Sequence, residues 1–447
     1  MNGSAGTEKS TYACEACGYR SPKWMGFCPQ CRGGALAETA EPNRKGGRRV
    51  PPSLVSVADP APAEPDRTAV GIGEIDRVLG GGLVRGAVVL VGGEPGVGKS
   101  TLLLQAAAAV AGSVGTVMIA TAEESARQVQ MRAGRVGVAD PGVTIASVGD
   151  VDDIVALAAD HRPAVLVVDS IQTVSSTEVS GSAGGVAQVR DSAARLIAYA
   201  KTSGTPVVLV GHVTKDGSIA GPRTLEHMVD VVLYLEGESD VGLRFLRSIK
   251  NRFGSVNEVG VFEMTASGLV EVPDPSGLLV ANRDDTRPGS VLFPTIEGKR
   301  PMVVEIQALV VDSEATQPRR SVTGLPASRV HQVLGVLDRH GRIAVRGKEV
   351  YVSVMGGIRV VEPAADLAVA LAVASAVQDV SLGKTAAWGE LGLTGDVRPV
   401  SRPALRSGEV ARISAGPVLA PSEGHTRIEE ALQAAAIPTG SSSAPPF

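Results

Sequence analysis

The chain has 447 residues, 44% of them apolar and only 3% aromatic, with a formal net charge of −4. That length allows two or three domains, and cores so poor in rings must be filled by Val, Ala and Leu. No apolar run reaches the roughly 18 residues of a membrane span, and the opening MNGSAGTEKS is no secretory signal, so a cytoplasmic address without a membrane partner is expected.

The first segment, 11–33, holds all four cysteines, as Cys14-x-x-Cys17 and Cys28-x-x-Cys31. Two such knuckles present four thiolates in a tetrahedron, the coordination of structural zinc. With every position filled by protein, no open site remains for catalysis. A reducing compartment disfavours disulfides. Tyr12, Tyr19, Lys23, Trp24 and Phe27 surround the knuckles and read either as a contact surface for nucleic acid or protein, or as the packing of a very small domain. Residues 34–66, rich in Pro, Ala and Arg, show no hydrophobic period and read as a flexible linker.

From 67 to 265, β-rich runs at 87–91, 116–120, 165–168 and 207–210 alternate with helical stretches at 101–111, 125–136, 151–160 and 186–201. This alternation predicts an α/β fold with a mostly parallel sheet, whose ligands bind at the carboxyl ends of the strands. The run Gly93-Glu94-Pro95-Gly96-Val97-Gly98-Lys99-Ser100-Thr101 sits between such a strand and a helix and contains GxxxxGK[ST]. Its glycines let backbone N–H groups wrap phosphates, Lys99 neutralises the β- and γ-phosphates of ATP, and the Ser100 hydroxyl is a magnesium ligand. Val165–Asp169 is a hydrophobic strand ending in an acid, and Asp169 is the second candidate for the magnesium. Hydrolysis also needs a base for the attacking water. Glu123 and Glu124, just past the strand at 116–120, are the candidates, and the other of the pair can simply begin the next helix.

Residues 271–435 read as a second α/β domain, with strands at 302–309 and 350–354 and a long helix at 366–377, before a disordered tail at 436–447. Charge is unevenly spread. Residues 1–50 carry eight Lys/Arg against four Asp/Glu, and 319–359 carry eight against two. Such basic stretches suit a polyanion, although a solvated surface has the same composition.

The order of zinc ribbon, Gly71-Ile72-Gly73-Glu74-Ile75-Asp76-Arg77-Val78-Leu79-Gly80-Gly81-Gly82, phosphate loop and Lys250-Asn251-Arg252-Phe253-Gly254 is similar to that of the bacterial RadA (Sms) family, over nearly the whole chain. The resemblance implies a RecA-like ATPase core and a hexameric ring that drives branch migration on single-stranded and branched DNA beside a recombinase of the RecA type. It puts the hydrolytic glutamate at Glu123, with Glu124 second, because Thr121–Ser125 matches the family's T/S-x-E-E-S. It gives Lys250 and Arg252 the role of cations that reach a neighbour's γ-phosphate, and His212 that of a γ-phosphate sensor. The segments 175–185 and 214–223, with Lys215 and Arg223, correspond to strand-gripping loops. The last domain resembles the proteolytic domain of Lon. Where Lon has its serine this chain has Pro363-Ala364-Ala365, and where Lon has its lysine it has Arg402-Pro403-Ala404-Leu405-Arg406. Alanine cannot be a nucleophile and arginine cannot be a base, so ring scaffolding and a further DNA surface are expected instead. The rival readings are an ATP-dependent protease and an ATP-switched scaffold without motor activity.

Overall fold

The computed structural model describes residues 11–14, 20–21, 25–29, 36–39, 66–211, 224–237 and 242–439. The chain divides into two units, 1–63 and 64–447.

In the first unit Thr11–Cys14 is the centre of a three-stranded antiparallel sheet, paired on one side with Arg20–Ser21 and on the other with Leu36–Thr39. Cys14 lies opposite Leu36, and Cys28 is buried. The strand Leu36–Thr39 falls inside the stretch read as linker, so the ribbon extends at least to Thr39. Four residues are too few to leave a period-2 signature, and their strand character comes from pairing with Thr11–Cys14. Cys17 and Cys31 lie outside the described residues, as does the side chain of Cys14.

The second unit begins with a nine-stranded sheet. Its order is Gly268–Glu271, Val259–Thr265, Leu243–Asn251, Val231–Gly237, Val88–Gly93, Val207–Val210, Val165–Asp169, Val117–Thr121 and Val143–Ser147. The last six are mutually parallel. The first three run antiparallel to their neighbours. Successive side chains on a strand point to opposite faces, and the two cores follow from this. Val89, Val91, Val117, Ile119, Val165 and Val167 face the helices Gly73–Leu79, Lys99–Ser113 and Ala126–Arg135. Val88, Leu90, Met118, Ala120, Leu166 and Val168 face Val151–His161 and Val186–Ser203. Strands buried on both faces have no polar alternation, which is why they read as continuous valine-rich runs.

The glycines after the first helix let the chain turn back against itself. At Gly82, with φ of 127°, a Cβ would lie 2.3 Å from the carbonyl oxygen of Thr68. The sheet also runs six residues past the expected limit at 265, because Gly268–Glu271 pairs with Val259–Thr265.

A second sheet of six strands follows, in the order Arg320–Thr323, Lys348–Val354, Arg300–Asp312, Ser290–Glu297, Ala386–Ala387 and Val418–Leu419. The helix Asp366–Gln378 is buried from Asp366 to Ser375, which its Ala/Val/Leu composition on every side requires. Arg300–Asp312 is longer than the expected 302–309 because it pairs along both edges. Ile437 is buried and its N–H donates to the Leu432 carbonyl, so the packed chain runs past 436, where a tail was expected. No helix among the described residues is long and apolar enough to cross a membrane.

Candidate nucleotide site

The strand Val88–Gly93 ends in a loop whose tip, Glu94, Pro95 and Gly96, is exposed while Val97 and Lys99 are buried. Gly98 has φ of 112°, in the left-handed region that favours glycine, and a Cβ there would meet the end of the Met264 side chain at 2.7 Å. The helix Lys99–Ser113 starts at once, which aims its first N–H groups and the positive end of its dipole into the loop. The Lys99 ammonium donates to the carbonyls of Gly93 at 2.8 Å and Glu94 at 2.9 Å. Burial lowers its pKa, while the charges of Asp169 and Glu123 oppose that shift.

Asp169 ends the strand Val165–Asp169. Burial raises its pKa, and a hydrogen bond from the Ser100 hydroxyl pulls the other way. Ser100 and Asp169 are therefore in contact. A hydroxyl and a carboxylate are hard oxygen donors, the set that suits a small divalent cation filling its remaining positions from phosphates and water. Among the described residues no three His, Cys, Asp or Glu side chains gather to hold a metal unaided, as that mode of binding allows.

Thr121 ends the adjacent strand Val117–Thr121, Glu123 and Glu124 follow it, and all three line one pocket with Ser100, Asp169 and Arg132. The two glutamates are not equivalent. Glu123 acts electrostatically on both Lys99 and Asp169. The Glu124 carboxylate is closed on the guanidinium of Arg132, and its backbone N–H donates to Thr121 Oγ1 at 3.2 Å. Ser125 then caps the helix Ala126–Arg135 in a reciprocal box with Gln128.

Two residues here escape a reading of the sequence. Arg132 lies eight positions past Glu124 and only the helix Ala126–Arg135 turns it back toward the pocket. Arg244, in the strand Leu243–Asn251, donates from Nε to the Val97 carbonyl at 3.2 Å. The sequence distance from the loop gives no signal of that contact.

Lys250 and Arg252 stand elsewhere. Leu235 is level with Gly93, whereas Lys250 is level with Val232 and so with Leu90. At about 3.3 Å per residue this puts Lys250 roughly 10 Å back along the sheet from the loop, and Arg252 farther still. The two side chains meet neighbouring groups of one segment, 226–230. Lys250 Nζ donates to the carbonyls of Glu226 at 2.7 Å, His227 at 3.3 Å and Val229 at 2.8 Å. Arg252 lies 3.3 Å from the buried Asp230, which also accepts from Lys201 at 2.7 Å and from the Val88 N–H at 3.0 Å. Burial and the neighbouring Arg252 charge lower the Lys250 pKa. His212, Lys215 and Arg223 lie outside the described residues.

In the C-terminal domain, Ala364 and Ala365 are buried. Arg406 is fully buried, closed on Glu362 and the Pro294 carbonyl, with its guanidinium 5.7 Å from the centre of the Phe293 ring. Neither a nucleophile nor a base stands there.

The comparisons with known proteins agree with this geometry. Residues 60–218 match the family described as an AAA domain, and residues 12–33 match the rubredoxin metal binding domain. The chain is 48% identical over 400 residues to the DNA repair protein RadA of Pseudomonas aeruginosa, covering 88% of each. It is 43% identical over 415 residues to that of Bacillus subtilis, covering 91% of each. Against that of Streptococcus pyogenes it is 41% identical over 442 residues, 97% of this chain and 95% of the relative. A metal-binding ribbon, an ATPase domain with its phosphate loop, and this likeness along nearly the entire length together place the chain in the DNA repair protein RadA family.

Proposed function

We propose that the protein is a DNA-stimulated ATPase that assembles as a hexameric ring on single-stranded and branched DNA and drives branch migration beside a recombinase of the RecA type. The observation that carries the reading is the convergence of Lys99, Ser100, Asp169 and Glu123 at the carboxyl ends of the parallel strands of one sheet.

In this reading the loop from Gly93 to Thr101 cradles the triphosphate, and Lys99 leaves its two carbonyls to lie against the β- and γ-phosphates. Ser100 and Asp169 hold the Mg²⁺, which supplies charge screening across the phosphates when bound. Glu123 accepts the proton of the attacking water. Lys250 and Arg252, set back along the sheet from their own loop, serve a neighbour's nucleotide, where cations stabilise the charge that develops on the transferred phosphoryl group. His212 senses the γ-phosphate. Lys215 and Arg223 contact the DNA backbone, a contact that is salt-sensitive and indifferent to base sequence.

In the ribbon, Cys14, Cys17, Cys28 and Cys31 hold Zn²⁺, whose role is to close the fold. The C-terminal domain, similar in sequence to that of Lon, serves as ring scaffold and additional DNA surface. Its buried Ala364, Ala365 and Arg406 give no support to proteolysis.

The test is the ATPase rate of the full, zinc-loaded protein with and without single-stranded DNA. DNA is expected to accelerate hydrolysis, and Lys99→Ala to retain DNA binding while branch migration ceases. A wild-type protein that turns over no ATP in the presence of DNA overturns the reading.

A further inference from the structure

The chain that leaves the carboxyl end of the strand Val165–Asp169 soon reaches a stretch of hydroxyls and glycines, 175–185, most of it exposed. Gly/Ser-rich chain of this kind has no core of its own to shape it. Here one side chain shapes it from beneath. Gln188, in the first turn of the helix Val186–Ser203, is 2% exposed and turns its amide back under the segment. Its Oε1 accepts the Ser176 N–H at 2.7 Å. Its Nε2 donates to the carbonyls of Ser176 at 3.2 Å, of Val179, and of Gly181 at 3.3 Å. One amide thus takes both backbone groups of Ser176, as a neighbouring strand would, and gathers two more carbonyls of the same turn.

Ser176 is held on its other sides as well. Its hydroxyl accepts the Glu178 N–H at 3.3 Å and donates to Asp191, and with Arg195 it keeps that carboxyl below its usual range. Ser175 donates its N–H to the Gly149 carbonyl at 2.8 Å and accepts that of Val151 at 2.9 Å, while the Thr173 hydroxyl donates to the Ser170 carbonyl at 2.8 Å. Hydrogen bonds therefore lead from Gly181 back to Ser170, the residue beside Asp169.

The surface so presented carries the hydroxyls of Thr177, Ser180 and Ser182, all exposed, and the only charged residue in 175–185 is an acid, Glu178. A segment of this composition cannot form ion pairs with phosphates. What it offers a nucleic-acid strand is hydroxyl and backbone hydrogen bonding and, at its glycines, close approach. We propose that Gln188 is a positioning residue for DNA, which holds 175–185 in one preformed shape as a contact that makes no ion pairs. A preformed segment binds without first having to be ordered, and a strand lying on it is joined to Asp169 by a short, hydrogen-bonded run of chain. The inference rests on the reading of the protein as a DNA-stimulated ATPase and adds a non-ionic contact to the salt-sensitive one of Lys215 and Arg223.

The test uses the full, zinc-loaded protein with a labelled oligothymidylate. Its Kd is measured by anisotropy at several salt concentrations with a non-hydrolysable ATP analogue, beside ATPase rates with and without that DNA. Gln188→Met fills the same space without an amide. It should weaken binding about tenfold and leave the slope of log Kd against log salt as in wild type, because paired cations set that slope. Its ATPase rate at sub-saturating DNA should fall by more than its DNA-free rate. Replacing Thr177, Ser180 and Ser182 by alanine touches only exposed groups and should weaken binding with the same unchanged slope. If the alanine variant weakens binding and Gln188→Met does not, the segment meets DNA but Gln188 does not position it, and the proposal is overturned. If Gln188→Met alone weakens binding, loss of the fold around the segment rather than of a contact is responsible, and the proposal is again overturned. If neither variant changes Kd, or if either makes the slope shallower, the non-ionic contact is wrong, although DNA still accelerates the wild type. Only a wild type that DNA does not accelerate overturns the underlying reading as well.

Discussion

The guanidinium of Arg300, in the C-terminal domain, is closed on the carboxylate of Glu74, in the first helix of the ATPase domain, with both side chains buried. Glu74 also accepts the Val261 N–H at 2.8 Å, and Arg300 also donates to the carbonyls of Val259 at 3.2 Å and Pro273 at 2.9 Å. One residue from each domain thus satisfies backbone groups of the antiparallel strands between them. Removing one partner of a buried pair leaves the other charge uncompensated. Arg300→Ala should therefore lose about 3–5 kcal/mol by urea denaturation, and Glu74→Gln less, since the amide oxygen still accepts from Val261. An Arg300→Ala protein as stable as wild type would remove this account of how the domains are joined.

Asp366 offers a pH signature. It is buried at the start of the long helix of the C-terminal domain, paired with Arg329 and accepting the Leu391 N–H at 3.1 Å, with Glu390 as a second carboxylate near the same arginine. Burial raises its pKa despite the arginine. A raised carboxyl favours the protonated fold, so its contribution is greatest below the unfolded pKa of about 3.9 and is lost as pH rises through the folded value. Taking away Arg329 raises that folded value further. Arg329→Ala is therefore expected to be strongly destabilised at pH 7 and progressively less so toward pH 4, followed by thermal melts across the range. A loss independent of pH would mean that Arg329 acts by packing alone.

For Lys250 and Arg252 the prediction separates fold from catalysis. Asp230 keeps Lys201 and the Val88 N–H when Arg252 is removed, so Arg252→Ala should melt near the wild-type temperature. Lys250→Ala gives up a charged donor to three carbonyls and should lose about 1–3 kcal/mol. Both variants should lose ATPase activity. Mixing Lys250→Ala with Lys99→Ala should restore part of it, because each then supplies what the other lacks across a subunit boundary. Absence of any recovery in mixed assemblies argues for action within one chain.

Arg406 makes a prediction about chemistry that is missing. A fully buried guanidinium held by Glu362 and the Pro294 carbonyl cannot take up a proton from a nucleophile at neutral pH. The purified protein with ATP should leave casein intact on overnight incubation. Arg406→Lys should do the same, while losing about 2–4 kcal/mol of stability, because an ammonium cannot reproduce the fork of hydrogen bonds. Casein fragments that vanish with Arg406→Ala would reverse the conclusion.

The ribbon is tested by metal content. Cys28 is buried, and its replacement by serine should reduce bound zinc from about one ion per chain to a small fraction of it, since a hydroxyl does not replace a thiolate ligand. Retention of a full equivalent in Cys28→Ser would exclude the four-cysteine site.

Much of this was legible in the chain because it depends on residues close together in sequence. The phosphate loop needs glycines, a lysine and a serine within nine positions, and the βαβ alternation around it leaves valine-rich runs that announce buried strands. The paired cysteines carry their own spacing. That alanines and arginines stand at the two places where Lon has its serine and its lysine is likewise visible without coordinates.

What the sequence could not decide was which distant groups meet. Glu124 and Arg132 stand eight positions apart, and they meet only because the helix Ala126–Arg135 brings the arginine back onto the pocket. Lys250 and Arg252 read as partners of phosphate, but only the register against Val88–Gly93 shows how far back along the sheet they lie from their own loop. Arg300 is an ordinary surface cation on paper, and it becomes an anchor because folding removes it and Glu74 from water together. Local patterns are set by backbone geometry and side-chain type, which the chain spells out. Pairings across the fold are set by the sum of all packing, and only the tertiary structure contains that sum.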